Sequence, residues 1–284
     1  MMRSLLLFLL VAIHVAPVYS GPWNKAKNKG YVQFGLTYLT YDQILNGSEK
    51  RIDLKRSISD HTLQLYAEYG LSDKFNLILN LPFKMVGSGE TLNPTDNDPY
   101  PNDTLESGSL TGLSSVEFGL RYVILEKKYI LSAQVTIGNN MHRYDHGSGL
   151  QIGYDTYQIL PSLLLGRGWK KKYLQLGAGV QLRSNNYAQN FIGMFEAGHK
   201  FFKDKTLLIL RIDAKIPVTN GTFDERNSVQ TALFRDNSAY LSPGLKINQQ
   251  LTTHLYVNFG AYIAPYSVLE GAQISLNGGL AYDW

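Results

Sequence analysis

The feature that most constrains this chain is a two-residue alternation of apolar and polar side chains, clearest in the stretch 272–284. There Ile274, Leu276, Gly278, Leu280, Tyr282 and Trp284 fall on one side of an extended strand, and Gln273, Ser275, Asn277, Gly279 and Asp283 on the other. The same pattern recurs as Leu63, Leu65, Ala67 and Tyr69; as Phe75, Leu77, Leu79, Leu81 and Phe83; and as Leu131, Ala133, Val135 and Ile137. It continues as Leu174, Leu176, Ala178, Val180 and Leu182; as Leu208, Leu210, Ile212, Ala214 and Ile216; and as Leu255, Val257, Phe259, Ala261 and Ile263. Most of the residues between them are Gln, Asn, Ser, Thr, Gly or charged. Each run therefore has one greasy and one wet face. Only the run 154–167, with Ile159, Leu160, Leu163, Leu164 and Leu165 around Pro161, shows no preferred face.

The runs predict twelve strands, at 30–42, 58–70, 74–86, 112–124, 129–141, 154–167, 172–184, 190–202, 206–218, 237–250, 254–266 and 271–284. Within pairs they are joined by tight turns at 70–74, 125–128, 169–172, 202–205 and 250–253. Between pairs lie longer polar loops at 43–56, 87–110, 142–153, 184–190 and 219–237, and a short one at 267–271. Short turns at one end and long loops at the other are the pattern of an up-and-down transmembrane β-barrel, in which only alternate residues meet lipid. The expected fold is all-β: an antiparallel barrel of about twelve strands over 30–284, with both termini at the short-turn end.

The first twenty residues read differently. A basic start at Arg3, an apolar run from Leu5 to Val15, and Val18-Tyr19-Ser20 before Gly21 form an expected signal peptide, 1–20, followed by a short periplasmic lead-in, 21–29. No other apolar run reaches the length of a membrane helix. The chain has no cysteine, which excludes disulfides, a thiolate metal site and a thiol nucleophile. Its formal net charge of +4 comes from lysines clustered in turns, so no nucleic-acid partner is expected.

Aromatic residues gather beside the short turns: Tyr69, Phe75, Tyr122, Tyr129, Trp169, Tyr173, Phe201, Tyr282 and Trp284. They are expected to form a girdle at the headgroup level. On the inward face fall Glu68, Glu117, Arg121, Arg183, Glu196, Arg211, Asp213, Lys215 and Lys246, the expected charged lining of a lumen. A tight turn at 203–204 places Glu196 opposite Arg211. Such charges either line a pore or fill a narrow interior by neutralising one another. Pro82, Pro161, Pro217, Pro243 and Pro265 each remove a ladder donor and are expected at bulges or strand ends.

Signals for chemistry are weak. His146 and Ser148 have the two-residue spacing of some outer-membrane lipid hydrolases, but they lie in a glycine-containing loop beside Asp145, without an orienting Asn on the next strand. His142, His146 and Asp145 make a poor metal set, and Asp96, Asp98 and Asp103 could bind calcium only as a loop cluster. No catalytic residue, metal or cofactor is expected.

Two resemblances extend this reading. The stretch ending in Leu276, Leu280, Tyr282 and Trp284 resembles the terminal strand of bacterial outer-membrane barrels. That resemblance implies the outer membrane of a Gram-negative bacterium, with outer-membrane lipids around the wall and the barrel-assembly machinery reading those four residues. The run Leu65-Tyr66-Ala67-Glu68-Tyr69-Gly70-Leu71-Ser72-Asp73-Lys74-Phe75, leading through Leu79-Asn80-Leu81-Pro82-Phe83, resembles a second hairpin in the outer-membrane family named for the meta-pathway of phenol degradation. So does Thr111-Gly112-Leu113-Ser114-Ser115-Val116-Glu117-Phe118-Gly119-Leu120-Arg121-Tyr122, where the family's Gly-Asp is replaced by Ser114-Ser115. This second resemblance implies a channel or uptake porin for a small-molecule solute, hydrophobic or aromatic in character. A structural or surface-interaction barrel with a plugged lumen is the alternative, and a lipid hydrolase the third reading.

Overall fold

The alternation folds as a closed wall. The computed structural model describes residues 21–47, 50–89, 105–222, 231, 233–271 and 273–284. The expected leader 1–20 and the acidic triplet Asp96, Asp98 and Asp103 lie outside them.

The strands are β1 (Gly30–Gly47), β2 (Lys50–Gly70), β3 (Phe75–Ser88), β4 (Gly108–Leu113), β5 (Ser115–Glu126), β6 (Ile130–Asn140), β7 (Arg143–Tyr144) and β8 (Gln151–Ile152). They continue as β9 (Tyr157–Gly168), β10 (Lys172–Arg183), β11 (Gln189–Phe201), β12 (Thr206–Thr219), β13 (Ala239–Gln250), β14 (Leu255–Tyr262), β15 (Tyr266–Gly271) and β16 (Ser275–Asp283). β4 and β5 are two pieces of one wall strand, as are β14 and β15, while β7 and β8 form a separate hairpin in a long loop. Twelve antiparallel wall strands remain, and β16 pairs with β1 to close the barrel. Closure leaves no unpaired edge, which hydrocarbon would not tolerate.

The seam carries a close fit. The backbones of Gly30 and Trp284 exchange hydrogen bonds of 3.2 and 3.1 Å. A Cβ on Gly30 would lie 2.1 Å from the Trp284 indole, so only glycine fits there. Outside, Phe34, Leu36, Leu63, Leu77, Phe118, Ile137, Leu176, Leu210, Phe259, Leu280 and Tyr282 are exposed, a lipid-facing band. The run 154–167 takes a face as well: Ile159, Leu163 and Leu165 point out, while Leu160 and Leu164 point in and pack with Ile192 and Met194. Here the wall is apolar on both sides, and for that reason the sequence shows no alternation.

All five prolines mark wall irregularities. Pro82 lies at the break between β4 and β5, and Pro161 in a gap of the β9–β10 ladder between Ser162 and Ile159. Pro217 adjoins a register shift at 189–190; Pro243 sits where β13 changes partner from β15 to β14; and Pro265 separates those two strands.

Three expectations need correction. The expected loop 43–56 is almost wholly strand, because β1 and β2 stay paired as far as Asn46 and Lys50. The expected loop 267–271 belongs to β15, which pairs with β1 beyond the shorter β16. Tyr173 leaves the girdle: it shares its face with Gln175 and turns inward, where its hydroxyl donates to Glu196. The other girdle residues, Tyr69, Phe75, Tyr122, Tyr129, Trp169, Phe201, Tyr282 and Trp284, are all exposed.

Candidate functional site

Glu68, Glu117, Arg121, Arg183, Glu196, Arg211, Asp213, Lys215 and Lys246 lie on the side of the wall opposite the exposed apolar band, in three groups stacked along the barrel axis. Nearest the short turns, Arg121 is fully buried and donates to Glu68 at 2.5 Å, to the Gly21 carbonyl at 2.7 Å and to Asn24 at 3.1 Å. Tyr66 donates to the other Glu68 oxygen at 2.5 Å. The guanidinium thereby ties residues 21–24, which precede β1, into the lumen. Ser132 donates to the Pro22 carbonyl at 2.6 Å, and Pro22 packs against Gly166, where a Cβ would lie 2.4 Å from its ring. Trp23 stands edge-on to Tyr173. This segment fills the lumen beside β5, β6 and β9.

At mid-height, β11 and β12 pair Glu196 with Arg211, as the tight turn requires. Arg211 sits 3.4 Å from Glu196 but grips Asp213 with two bonds of 2.8 and 2.9 Å. Glu196 also accepts from Tyr173 at 2.6 Å and Gln175 at 2.9 Å. Glu117 has only neutral donors in contact: Asn80 at 2.9 Å, Gln158 at 3.1 Å and Ser115 at 3.4 Å. Lys246 projects from β13 into the same space.

Toward the long loops, Arg183 donates to Asp236 at 2.5 Å and to the Ala188 carbonyl at 2.8 Å, between the rings of Tyr154 and Tyr187. Burial pushes the Tyr187 hydroxyl up to about 12. Lys215 reaches Ser238 at 2.6 Å. Above this level Leu39, Tyr41, Ile44, Leu54, Ile58 and Val86 of the first three strands pack with Leu150, Ile152 and Leu233 from two inward-folded loops. Tyr41 donates to the Thr231 carbonyl at 2.7 Å and Gln151 to the Leu233 carbonyl at 2.6 Å. The long-loop end of the lumen is thus closed by an apolar cluster pinned at its rim by hydrogen bonds.

Between the closures is a cavity of about 330 Å³, bordered by β1, β2, β10–β14 and β16. Its wall presents Tyr31, Tyr66, Tyr173, Tyr240 and Tyr262, the paired acids Glu68, Glu196 and Asp213, and Lys25, Arg211 and Lys246.

Several residues here escaped the sequence reading. Lys84 and Asp60 form a buried pair at 2.6 Å, and Asp236 buries a loop carboxylate. Asp60 and Lys84 share the parity of Glu68 and Asn80, so carrying the alternation upward finds them. Nothing local marks Asp236, whose role depends on a loop folding inward.

The hydrolase spacing is not assembled. Ser148 is buried and its hydroxyl donates to Asp145, whereas the His146 ring stands edge-on to Tyr144. Asp145 is held below the ordinary carboxylate range by those Ser148 bonds. Among the described residues no three His, Cys, Asp or Glu side chains are grouped to hold a metal.

The architecture is that of outer-membrane channels and porins. It is similar to the outer membrane channel from Pseudomonas putida F1, with a TM-score of 0.67 at 15% identity over 94% of this chain and 100% of that one. It is also similar to the KdgM porin, with a TM-score of 0.51 at 8% identity over 89% of this chain and 99% of that one; KdgM is known too in complex with disordered oligogalacturonate. At such identities the likeness establishes the fold alone. No family model matches the sequence, and no curated protein does.

Proposed function

We propose that this chain is an outer-membrane channel that admits a small solute, hydrophobic or aromatic in character, by passive diffusion through the lumen. The carrying observation is the cavity of about 330 Å³ inside a closed barrel, walled by tyrosine rings and by charges that are nearly all paired. Such a wall tolerates water yet offers flat apolar surface. The fold shared with the Pseudomonas putida channel and the resemblance of 65–83 and 111–122 to the phenol-degradation family support this reading. On it, Leu276, Leu280 and Tyr282 on the outer face of β16, with Trp284 just beyond it, are the residues the assembly machinery reads, and residues 21–24 and 233–238 shift when the path opens.

The second reading, a structural or surface-interaction barrel, is favoured by one observation: the apolar cluster at the long-loop end, where Ile44, Ile58, Leu150 and Ile152 have no exposure. Single-channel recording on the refolded barrel decides between them. Discrete openings whose ion selectivity changes on Arg211→Glu support the channel. A correctly folded barrel that stays silent under all voltages supports the plug.

A further inference from the structure

The cavity wall has one valence left over. Glu68 is held by Arg121 and Tyr66, Glu196 by Tyr173, Gln175 and Arg211, and Asp213 by Arg211. The Lys25 ammonium lies over the Tyr31 ring, 4.9 Å from its centre. The hydroxyls of Tyr31, Tyr66 and Tyr173 are committed to Gln33, Glu68 and Glu196, so these tyrosines offer the cavity ring surface rather than donors. Lys246 differs. Among the described residues its ammonium makes no hydrogen bond, no ion pair and, unlike that of Lys25, no contact with a ring face.

The register explains why. The neighbours of Lys246 across the wall are Ile209 on β12 and Gly260 on β14, neither of which has a side-chain acceptor. Glu196 attracts the Lys246 ammonium and Arg211 repels it, each at a distance and neither in contact with it. An ammonium removed from bulk water without a contact partner is costly, and the cost is recovered when a partner arrives. On the same cavity wall Leu207, Ile209 and the Tyr262 ring give apolar surface, alongside the amides of Asn248, Asn258 and Asn277.

We propose that this cavity is a binding site for a small aromatic carboxylate, with the carboxylate on the Lys246 ammonium and the ring against Ile209 and the tyrosine faces. The volume, at the small end of ligand pockets, admits a single-ring solute. The proposal deepens the channel reading by naming its solute class, and it rests on that reading for the site's role in transport.

Calorimetric titration of the refolded barrel in detergent with sodium benzoate tests it, against acetate, phenol and benzylammonium. Benzoate is expected to bind at least tenfold more tightly than the other three. Lys246→Met is expected to weaken benzoate tenfold or more, to the level of phenol, while Lys246→Arg retains it. Tyr262→Leu, which leaves the cation in place, is expected to weaken benzoate and leave acetate unchanged. Heat-shifted gel mobility confirms that each variant is folded. Equal binding of benzoate and phenol, preference for benzylammonium, or full benzoate affinity in folded Lys246→Met overturns the proposal. Conductance separates the two ideas: an open channel that ignores benzoate sinks only the solute class, whereas a silent barrel that binds benzoate sinks only the channel.

Discussion

At the long-loop end Ile44, Ile58, Leu150 and Ile152 meet with no exposure, and the hydrogen bonds there run around the rim of the cluster. At the short-turn end Arg121 is equally buried, but what it meets is Glu68, Asn24 and the Gly21 carbonyl. The difference follows from what each end is made of. The upper closure is built by loops longer than the wall needs, which have residues to spare for a core. The lower closure is one short segment, whose backbone carbonyls must find donors wherever they enter the lumen. Apolar packing is forgiving of shape and indifferent to pH; a buried ion pair is neither.

Arg121→Ala should therefore have the largest effect. It strips Glu68 of its cation in a buried setting and frees the Gly21 carbonyl, at a cost of about 3–5 kcal/mol in urea unfolding of the barrel in lipid vesicles. Arg121→Lys should recover only part of this, because one ammonium cannot reach Glu68, Asn24 and Gly21 together. At the other end Leu150→Ala should cost about 2–3 kcal/mol, at the low side for a buried leucine because a hairpin can settle into the gap. If Leu150→Ala proved the costlier of the two, the contrast between the ends would fail.

What could be read in advance follows the same division. Wall strands are legible because lipid imposes one face of each, so the alternation from Leu208 to Ile216 survives unbroken in β12. Where lipid is absent or both faces are apolar, the pattern fades. The stretch 43–56 looked like a loop because polar residues such as Lys50 and Arg51 are exposed there, although Ile44 and Leu54 still face a core. Leu160 and Leu164 escaped assignment because Met194 and Ile192 give them a second apolar surface inside. The nine lumen charges follow from parity, but their partners do not: Arg183 with Asp236 and Arg121 with Gly21 join segments 53 and 100 residues apart. Such pairings depend on which loop turns inward, and composition does not encode that.

The smallest expected effect sharpens the contrast within the upper closure itself. The hairpin 143–152 carries Leu150 and Ile152 into the apolar cluster, yet its turn is fastened by Asp145, which accepts from the Ser148 hydroxyl and backbone. Those bonds lower the Asp145 carboxyl below its ordinary value of 3.8, so the ionised form favours the closed turn. A depressed folded value means this contribution is complete at any pH above the ordinary one and is lost as pH falls through the depressed one. Between pH 5 and 8 the exchange rate of the Ser148 amide should stay flat once corrected for intrinsic exchange. Below the ordinary carboxylate range its protection should fall, while the strands beneath the apolar cluster hold theirs. Ser148→Ala should shrink the step, since it removes the hydroxyl bond, the largest cause of the lowering, and leaves the bonds from the backbone at 147 and 148. A turn that loosened between pH 5 and 8 would show that the Asp145 carboxylate is not what fastens the hairpin.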